Sequence, residues 1–226
     1  DKIGSVRSCR HYYAYYAMEF DAIYIHYGQA IYATELLESG KVEDLNGLEG
    51  AIDSATFYRD KSRKAPHNAF VSTDGINAGI ELKGYDTELP SDYKGHYKFN
   101  EDDENEIELT DGADAAVVQP GYYVNNPWFV YNSEDGLYYR FQYKKEHVDE
   151  NTGTQLAFKN ILLQYCDYTK LDDSHGYLDV ESTGEGTGKY ITNGKVIDVT
   201  WKKANENEPT RYYDASGNEI TLNQGK

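Results

Sequence analysis

Asn193-Gly194-Lys195-Val196-Ile197-Asp198-Val199-Thr200-Trp201 decides the fold class. Asn and Gly both tolerate the positive φ that a two-residue hairpin turn requires, so Asn193-Gly194 predicts a tight turn. The β-branched and aromatic run after it predicts a strand. Outward from this hairpin the same pattern recurs. Ala116-Val117-Val118, Trp128 to Tyr131, Leu137 to Phe141, Ile161 to Tyr165 and Tyr177 to Val180 all read as strands. Turn signals separate them at Ser133-Glu134-Asp135-Gly136, Asn151-Thr152-Gly153 and Ser216-Gly217-Asn218. Strands at this spacing predict a mostly antiparallel sheet.

Upstream of Ala115 the pattern changes. Ser8 or a neighbour is expected to cap a helix that runs through Glu19. Asp21 to Tyr27, ended by Gly28, reads as a strand buried on both faces, because its apolar run is nearly continuous. Residues 29–39 suit a helix stopped by Gly40, and Ser72-Thr73 caps a second one that ends at Gly84. The fold class expected is α+β: an N-terminal α/β layer over 1–85, then a mostly antiparallel β-rich domain over 115–226. Residues 86–114 read as an acidic, solvated connection.

Charge sharpens that division. The 226 residues carry 22 basic and 39 acidic side chains, a formal net charge of −17. Residues 76–120 hold 3 basic and 12 acidic side chains, net −9, around Glu101-Asp102-Asp103-Glu104-Asn105-Glu106. A run of that kind stays in water and repels itself. It lacks the alternating ligands, central Gly and terminal Glu of a calcium loop. The overall charge argues against nucleic acid as a partner. Aromatic residues reach 14%, with 23 Tyr, which excludes disorder of the whole chain. No apolar run has membrane-span length, and two cysteines cannot form a disulfide framework.

Against the acidic background, positive charge gathers in two places. Arg7 and Arg10 lie three apart at a helix start, where both can face one anion; the plainer reading makes them structural ion pairs. Tyr58 to Asn68 contains Arg59, Lys61, Arg63, Lys64, His67 and Asn68 with the single acid Asp60. It reads as a cationic wall for a phosphate or carboxylate, with His67 as proton donor, Asn68 as hydrogen-bond donor and Pro66 fixing the backbone. Its plainer reading is an exposed basic loop paired with 101–106. Arg63 to Asn68 is expected to fold back against Arg7 to Arg10 and the end of the 21–27 strand. His26, at the end of that strand, reads either as a ligand anchor or acid/base group, or as a hydrogen-bonded core residue. Cys9 lies between two arginines but has no recognisable base; it pairs with Cys166 only if the chain is exported and the geometry permits. Gly184-Glu185-Gly186-Thr187-Gly188-Lys189 fails the phosphate-loop spacing at Thr183 and Tyr190, and reads as a glycine-rich hairpin or bulge. No zinc pattern is present, and no cofactor or metal is implied.

Taken in order, Ile3-Gly4, Val6-Arg7-Ser8, Arg10, Asp21 to His26 with Gly28, Arg59-Asp60 and Arg63-Lys64-Ala65-Pro66-His67-Asn68 resemble the YerB-like lipoproteins of Gram-positive bacteria (domain of unknown function 3048). The later half resembles that family's C-terminal domain through His147-Val148-Asp149, Thr152-Gly153, Lys159-Asn160-Ile161, Thr200 to Lys203, Tyr213-Asp214, Gly217 and Glu219-Ile220. The resemblance differs at Ser5, Cys9 and Gln29, where the family has Pro, Ala and Gly. Cys9 therefore cannot carry a family activity. The resemblance implies an extracytoplasmic protein anchored to the membrane by a lipid absent from this chain, an α/β domain before a β-rich one, and no known reaction. Relative to the family the chain starts inside the first domain and stops short of the usual last strand, so a fragment is expected.

Two functions remain open. One is an envelope protein that binds an anionic ligand or a protein partner, motivated also by the tyrosine pairs at 12–13, 15–16, 122–123, 138–139 and 212–213. The other is an enzyme acting on a phosphorylated envelope lipid or glycan. Arg7, Arg10, His26, Arg59, Arg63, Lys64, His67 and Asn68 are the candidate ligand-binding residues; the catalytic residues are unknown.

Overall fold

The computed structural model describes residues 1–93, 95–102, 105–171 and 174–225. In chain order the first elements are β1 (Ile3–Gly4), α1 (His11–Glu19), β2 (Tyr24–His26), a 3₁₀ turn (Ile31–Ala33), α2 (Thr34–Glu38) and β3 (Asp44–Asn46). Then come α3 (Gly50–Thr56), β4 (Phe57–Arg59), β5 (Ala69–Val71) and α4 (Thr73–Lys83). The rest is strand: β6 (Ala113–Asp114), β7 (Val117–Val118), β8 (Trp128–Asn132), β9 (Leu137–Gln142), β10 (Lys145–Glu146), β11 (Ala157–Phe158) and β12 (Asn160–Gln164). The chain closes with β13 (Tyr168–Lys170), β14 (Leu178–Val180), β15 (Gly184–Thr192), β16 (Lys195–Lys203) and β17 (Arg211–Tyr213). The class is α+β and rich in antiparallel strands. Two compact units form: Asp1–Lys94 with Tyr168–Val180 and Asn205–Pro209, and Gly95–Asp167 with Glu181–Ala204 and Thr210–Lys226.

In the first unit, helix α1 starts two residues later than a Ser8 cap suggests. Its N-cap is Arg10, and no side chain caps it. At its other end the amides of Asp21 and Ala22 bond back to Met18 and Ala17, so they close the helix instead of opening a strand. Strand β2 is accordingly only three residues long, paired in parallel with β3, and His26 is its one buried residue. Helix α4 follows its sequence signals: Ser72 Oγ accepts from Gly75 N at 3.1 Å, and Gly84 takes φ 69 at the C-cap. Its Gly79 lies so close to α3 that an added Cβ would sit 2.3 Å from Thr56 Oγ1. Strands β1, β5 and β4 form an antiparallel sheet in that order. Cys9, Ala14, Ala33 and Val42 pack with Met18, Tyr24, Leu36 and Leu37 as the local core. The hairpin β13–β14 belongs to this unit, tied by His11 Nε2 to Asp179 Oδ1 at 2.9 Å.

In the second unit one sheet runs β10-β9-β8-β7 with β11 on β9; the other runs β12-β15-β16-β17 with β6 on β16. Tyr138, Ile161 and Ile191 belong to one core, and Tyr190, Trp201 and Tyr212 to another. Asn193-Gly194 turns β15 into β16 with φ 47 and 74. The glycine-rich 184–189 run lies in one arm of the β15–β16 hairpin and carries no bulge; it pairs in register with β16 from Gly184↔Lys203 onward. Gly186 lies under the Trp201 indole, whose Nε1 would be 2.6 Å from an added Cβ.

The acidic stretch from Gly95 on falls in the second unit. Glu106 accepts from Lys159 Nζ at 2.6 Å and Asn193 Nδ2 at 3.0 Å, and Ile107 N donates to Asn223 Oδ1 at 2.7 Å. Lys94, Asp103 and Glu104, all within the 86–114 segment, lie outside the described residues.

Candidate functional site

Residues 7–10 run alongside 27–30. Tyr27 N donates to Arg7 O, Cys9 N to Gly28 O and Ala30 N to Cys9 O, at 2.8–3.0 Å. An extended segment alternates its side chains. With Cys9 fully buried, Ser8 and Arg10 on either side of it turn away from the core. Arg10 Nη1 donates to the carbonyls of Ser8 and Cys9 at 3.2 Å, and its guanidinium lies 4.9 Å from the Tyr177 ring centre. Arg7 Nη1 donates to His67 Nδ1 at 2.7 Å. A guanidinium only donates, so the imidazole nitrogen is the acceptor in that contact.

Arg7, Arg10, Tyr12, Tyr13, His175 and Tyr177 line one cavity of about 410 Å³. His175 and Tyr177 stack with ring centres 5.4 Å apart. Burial, and then the neighbouring Tyr13, push the Tyr12 hydroxyl up, keeping it a neutral donor. Neither arginine has a carboxylate partner among the described residues. The first turn of α1 contains no acid, so the helix adds its own partial positive charge there.

The other candidates fall into separate arrangements. Arg59 donates to Asn68 Oδ1 at 2.9 Å and covers the Tyr27 ring at 4.1 Å. Arg63 Nε lies 3.6 Å from Asp60 Oδ2, and Lys2 Nζ lies 2.8 Å from the same oxygen. Hydrogen bonds from Lys2 and Ser62 hold the Asp60 carboxyl well below the usual carboxylate range. Lys64 is exposed and forms no ion pair among the described residues. His26 is fully buried: Nε2 faces Asp44 Oδ2 at 2.9 Å, Nδ1 faces Gly28 O at 2.8 Å, and the ring stacks on Tyr24. It is not among the residues lining the arginine cavity.

Cys9 and Cys166 are both free. Burial, partly offset by a hydrogen bond to Tyr24, pushes the Cys9 thiol up to about 11. It is a core thiol, not a nucleophile. Among the described residues no group of three His, Cys, Asp or Glu side chains is placed to hold a metal ion, and no helix is long and apolar enough to cross a membrane.

Family models for the N-terminal and C-terminal domains of "Protein of unknown function (DUF3048)" match residues 1–86 and 117–226. The chain belongs to the DUF3048 family. A Bacillus subtilis (strain 168) relative named "Putative lipoprotein YerB" is 28% identical over 215 residues, which cover 91% of this chain and 60% of that protein. The chain thus spans 60% of the length of this curated relative. The crystal structure of the YerB protein from Bacillus subtilis superposes with a TM-score of 0.83 at 27% identity, covering all of this chain and 72% of that one.

Sequence reasoning on this DUF3048 member named Arg7 and Arg10 but missed His175 and Tyr177. Ser174-His175-Gly176-Tyr177, with Gly176 at φ 69, was the available signal. Nothing local in it indicates a contact with residue 10, more than 160 positions away along the chain.

Proposed function

We propose that this chain is an extracytoplasmic binding protein of the bacterial envelope, of the lipoprotein type that its relative's name describes. We infer that its arginine cavity takes the phosphate or carboxylate of an anionic small molecule or envelope component. The supporting observation is the pair Arg7 and Arg10, unmatched by carboxylates among the described residues, on one cavity with His175 and Tyr177 in a chain of net charge −17. Two like charges lining one cavity repel each other, and a bound anion reverses that cost. Charge-assisted bonds from guanidinium to phosphate or carboxylate are the strong, directional kind.

The same geometry favours binding over the enzymatic alternative. His26 has both ring nitrogens engaged in the core, and Arg63 is drawn to Asp60. Binding is tested by thermal unfolding in sodium phosphate against sodium chloride of equal ionic strength. A ligand at about 100 times its Kd stabilises by about 2.7 kcal/mol, which raises Tm by roughly 5–10 °C in a chain of this size. Arg7→Ala with Arg10→Ala is expected to remove the difference between the two salts. Equal melting of the unmodified protein in both salts refutes the reading.

A further inference from the structure

A second pocket lies in the other unit; it holds the tyrosine pair 122–123 but none of the candidate ligand-binding residues named above. We propose that the pocket formed by the 119–126 loop and the Tyr143-Lys144 turn is a binding site for a neutral oligosaccharide. Its volume is about 620 Å³, within the usual range for ligand sites of roughly 300–1,000 Å³. Tyr122, Tyr123 and Tyr143 are among its lining residues and are 66%, 99% and 59% exposed.

The backbone holds one of these tyrosines, Tyr143, at a conformational cost. Tyr143 and Lys144 occupy both positions of the β9–β10 turn at φ 51 and 62, a region that bulky residues seldom adopt. Gly121 and Asn126 of the facing loop are also at positive φ, 86 and 40. Glycine and asparagine tolerate that region, but bulky residues held there, as Tyr143 and Lys144 are, gather where a side chain is needed for something other than stability. The two segments are pinned together: Tyr143 N donates to Asn125 O at 2.8 Å, and Asn125 Nδ2 to Gln142 Oε1 at 3.4 Å. Gln119 Nε2 donates to Asn126 Oδ1 at 2.8 Å and fixes the loop on itself. The loop and turn backbone that carries the tyrosines is thus fixed before a ligand arrives, which lowers the entropy lost on binding.

The chemistry of the lining selects the ligand class. No acidic residue lines the pocket, and Lys144 is its one cation. Gln119 Oε1 and Asn126 Nδ2 have no partner among the described residues, leaving one neutral acceptor and one neutral donor beside three phenol hydroxyls. Sugar hydroxyls both donate and accept, so they satisfy such a mixture. The C–H faces of a pyranose ring carry slight positive charge and suit the negative face of a tyrosine ring. An apolar peptide would leave the amides unmatched. An anionic lipid surface would repel a chain of net charge −17 that offers one lysine here.

The test titrates the full chain with chitotetraose and, separately, cellotetraose, following amide shifts by NMR. Saturable binding to at least one is expected, and which one binds shows whether the N-acetyl groups are read. Tyr123→Ala is expected to weaken binding about tenfold. Tyr143→Gly is expected to weaken it similarly while raising Tm, because glycine suits the turn. Failure of both sugars to bind overturns the proposal, and so does unchanged affinity in both variants. Tyr123-dependent sedimentation with phosphatidylglycerol vesicles, without sugar binding, assigns the patch to a membrane and also overturns it.

Discussion

Two hairpins in the second unit turn over two residues each, and both turns hold those residues at positive φ. Thr192 faces Lys195 across Asn193-Gly194, at φ 47 and 74. Gln142 faces Lys145 across Tyr143-Lys144, at φ 51 and 62. In the first turn the residues choose the geometry. In the second the residues oppose it, and the surroundings impose it: β8 and β11 flank β9, and Asn125 O captures the Tyr143 amide. Left-handed backbone costs roughly 1–2 kcal/mol for an ordinary side chain. A turn made from unsuitable residues is therefore a place where the fold gives up stability, whereas Asn193-Gly194 supplies the residues its turn prefers.

Exchanging the turns tests that contrast. Replacing Asn193 with Tyr and Gly194 with Lys is expected to destabilise by about 4 kcal/mol, read as a lower urea midpoint at unchanged slope. A Cβ at Gly194 would lie 2.8 Å from the Tyr131 ring, and Asn193 Oδ1 accepts from the buried Lys159 at 2.7 Å. A loss below about 1 kcal/mol would mean that turn residues matter little in this sheet. The reverse exchange, Tyr143→Asn with Lys144→Gly, is expected to stabilise by about 2 kcal/mol, because two unfavourable residues are replaced by favourable ones. No gain would show that contacts of Tyr143 already offset its backbone.

The same contrast explains what could be read in advance. Asn193-Gly194, the Ser72 cap and the Gly84 stop were legible because each residue type determines its own local geometry. Tyr143-Lys144 was not, since nothing in a Tyr-Lys pair suggests a turn. Helix α3 was missed because Gly50-Ala51-Ile52-Asp53-Ser54 is too short and mixed to show a period; its place depends on the close approach at Gly79. Arg7 and Arg10 stood out as positive charge in an acidic chain. His26, equally visible, proved to be a core residue, because only the fold shows that Asp44 and Gly28 O meet its two nitrogens.

The smallest expected effect concerns a carboxylate that braces one turn and not the other. Glu106 accepts from Lys159 and from Asn193, so it supports the Asn193-Gly194 turn from outside the hairpin. The hydrogen bond from Lys159, helped by Asn193, holds the Glu106 carboxyl below its ordinary value, although burial works the other way. Its folded-state value is lowered, so the unfolded chain takes up the proton first as pH falls. The contribution is complete above the unfolded value of about 4.3 and disappears as pH drops through the folded one. Glu106 is 40% exposed, and water screens the pair, so the contribution is small, about 1 kcal/mol. Glu106→Gln should therefore lower stability by about that amount at neutral pH and by nothing near pH 2. Asp60, Asp114, Asp135, Asp149 and Asp214 are lowered in the same direction, so the informative quantity is the difference between the two proteins at each pH. Urea titrations at both pH values supply it. A constant difference across that range would show that the ion pair contributes nothing to the turn, and that Asn193-Gly194 holds its geometry by backbone preference alone.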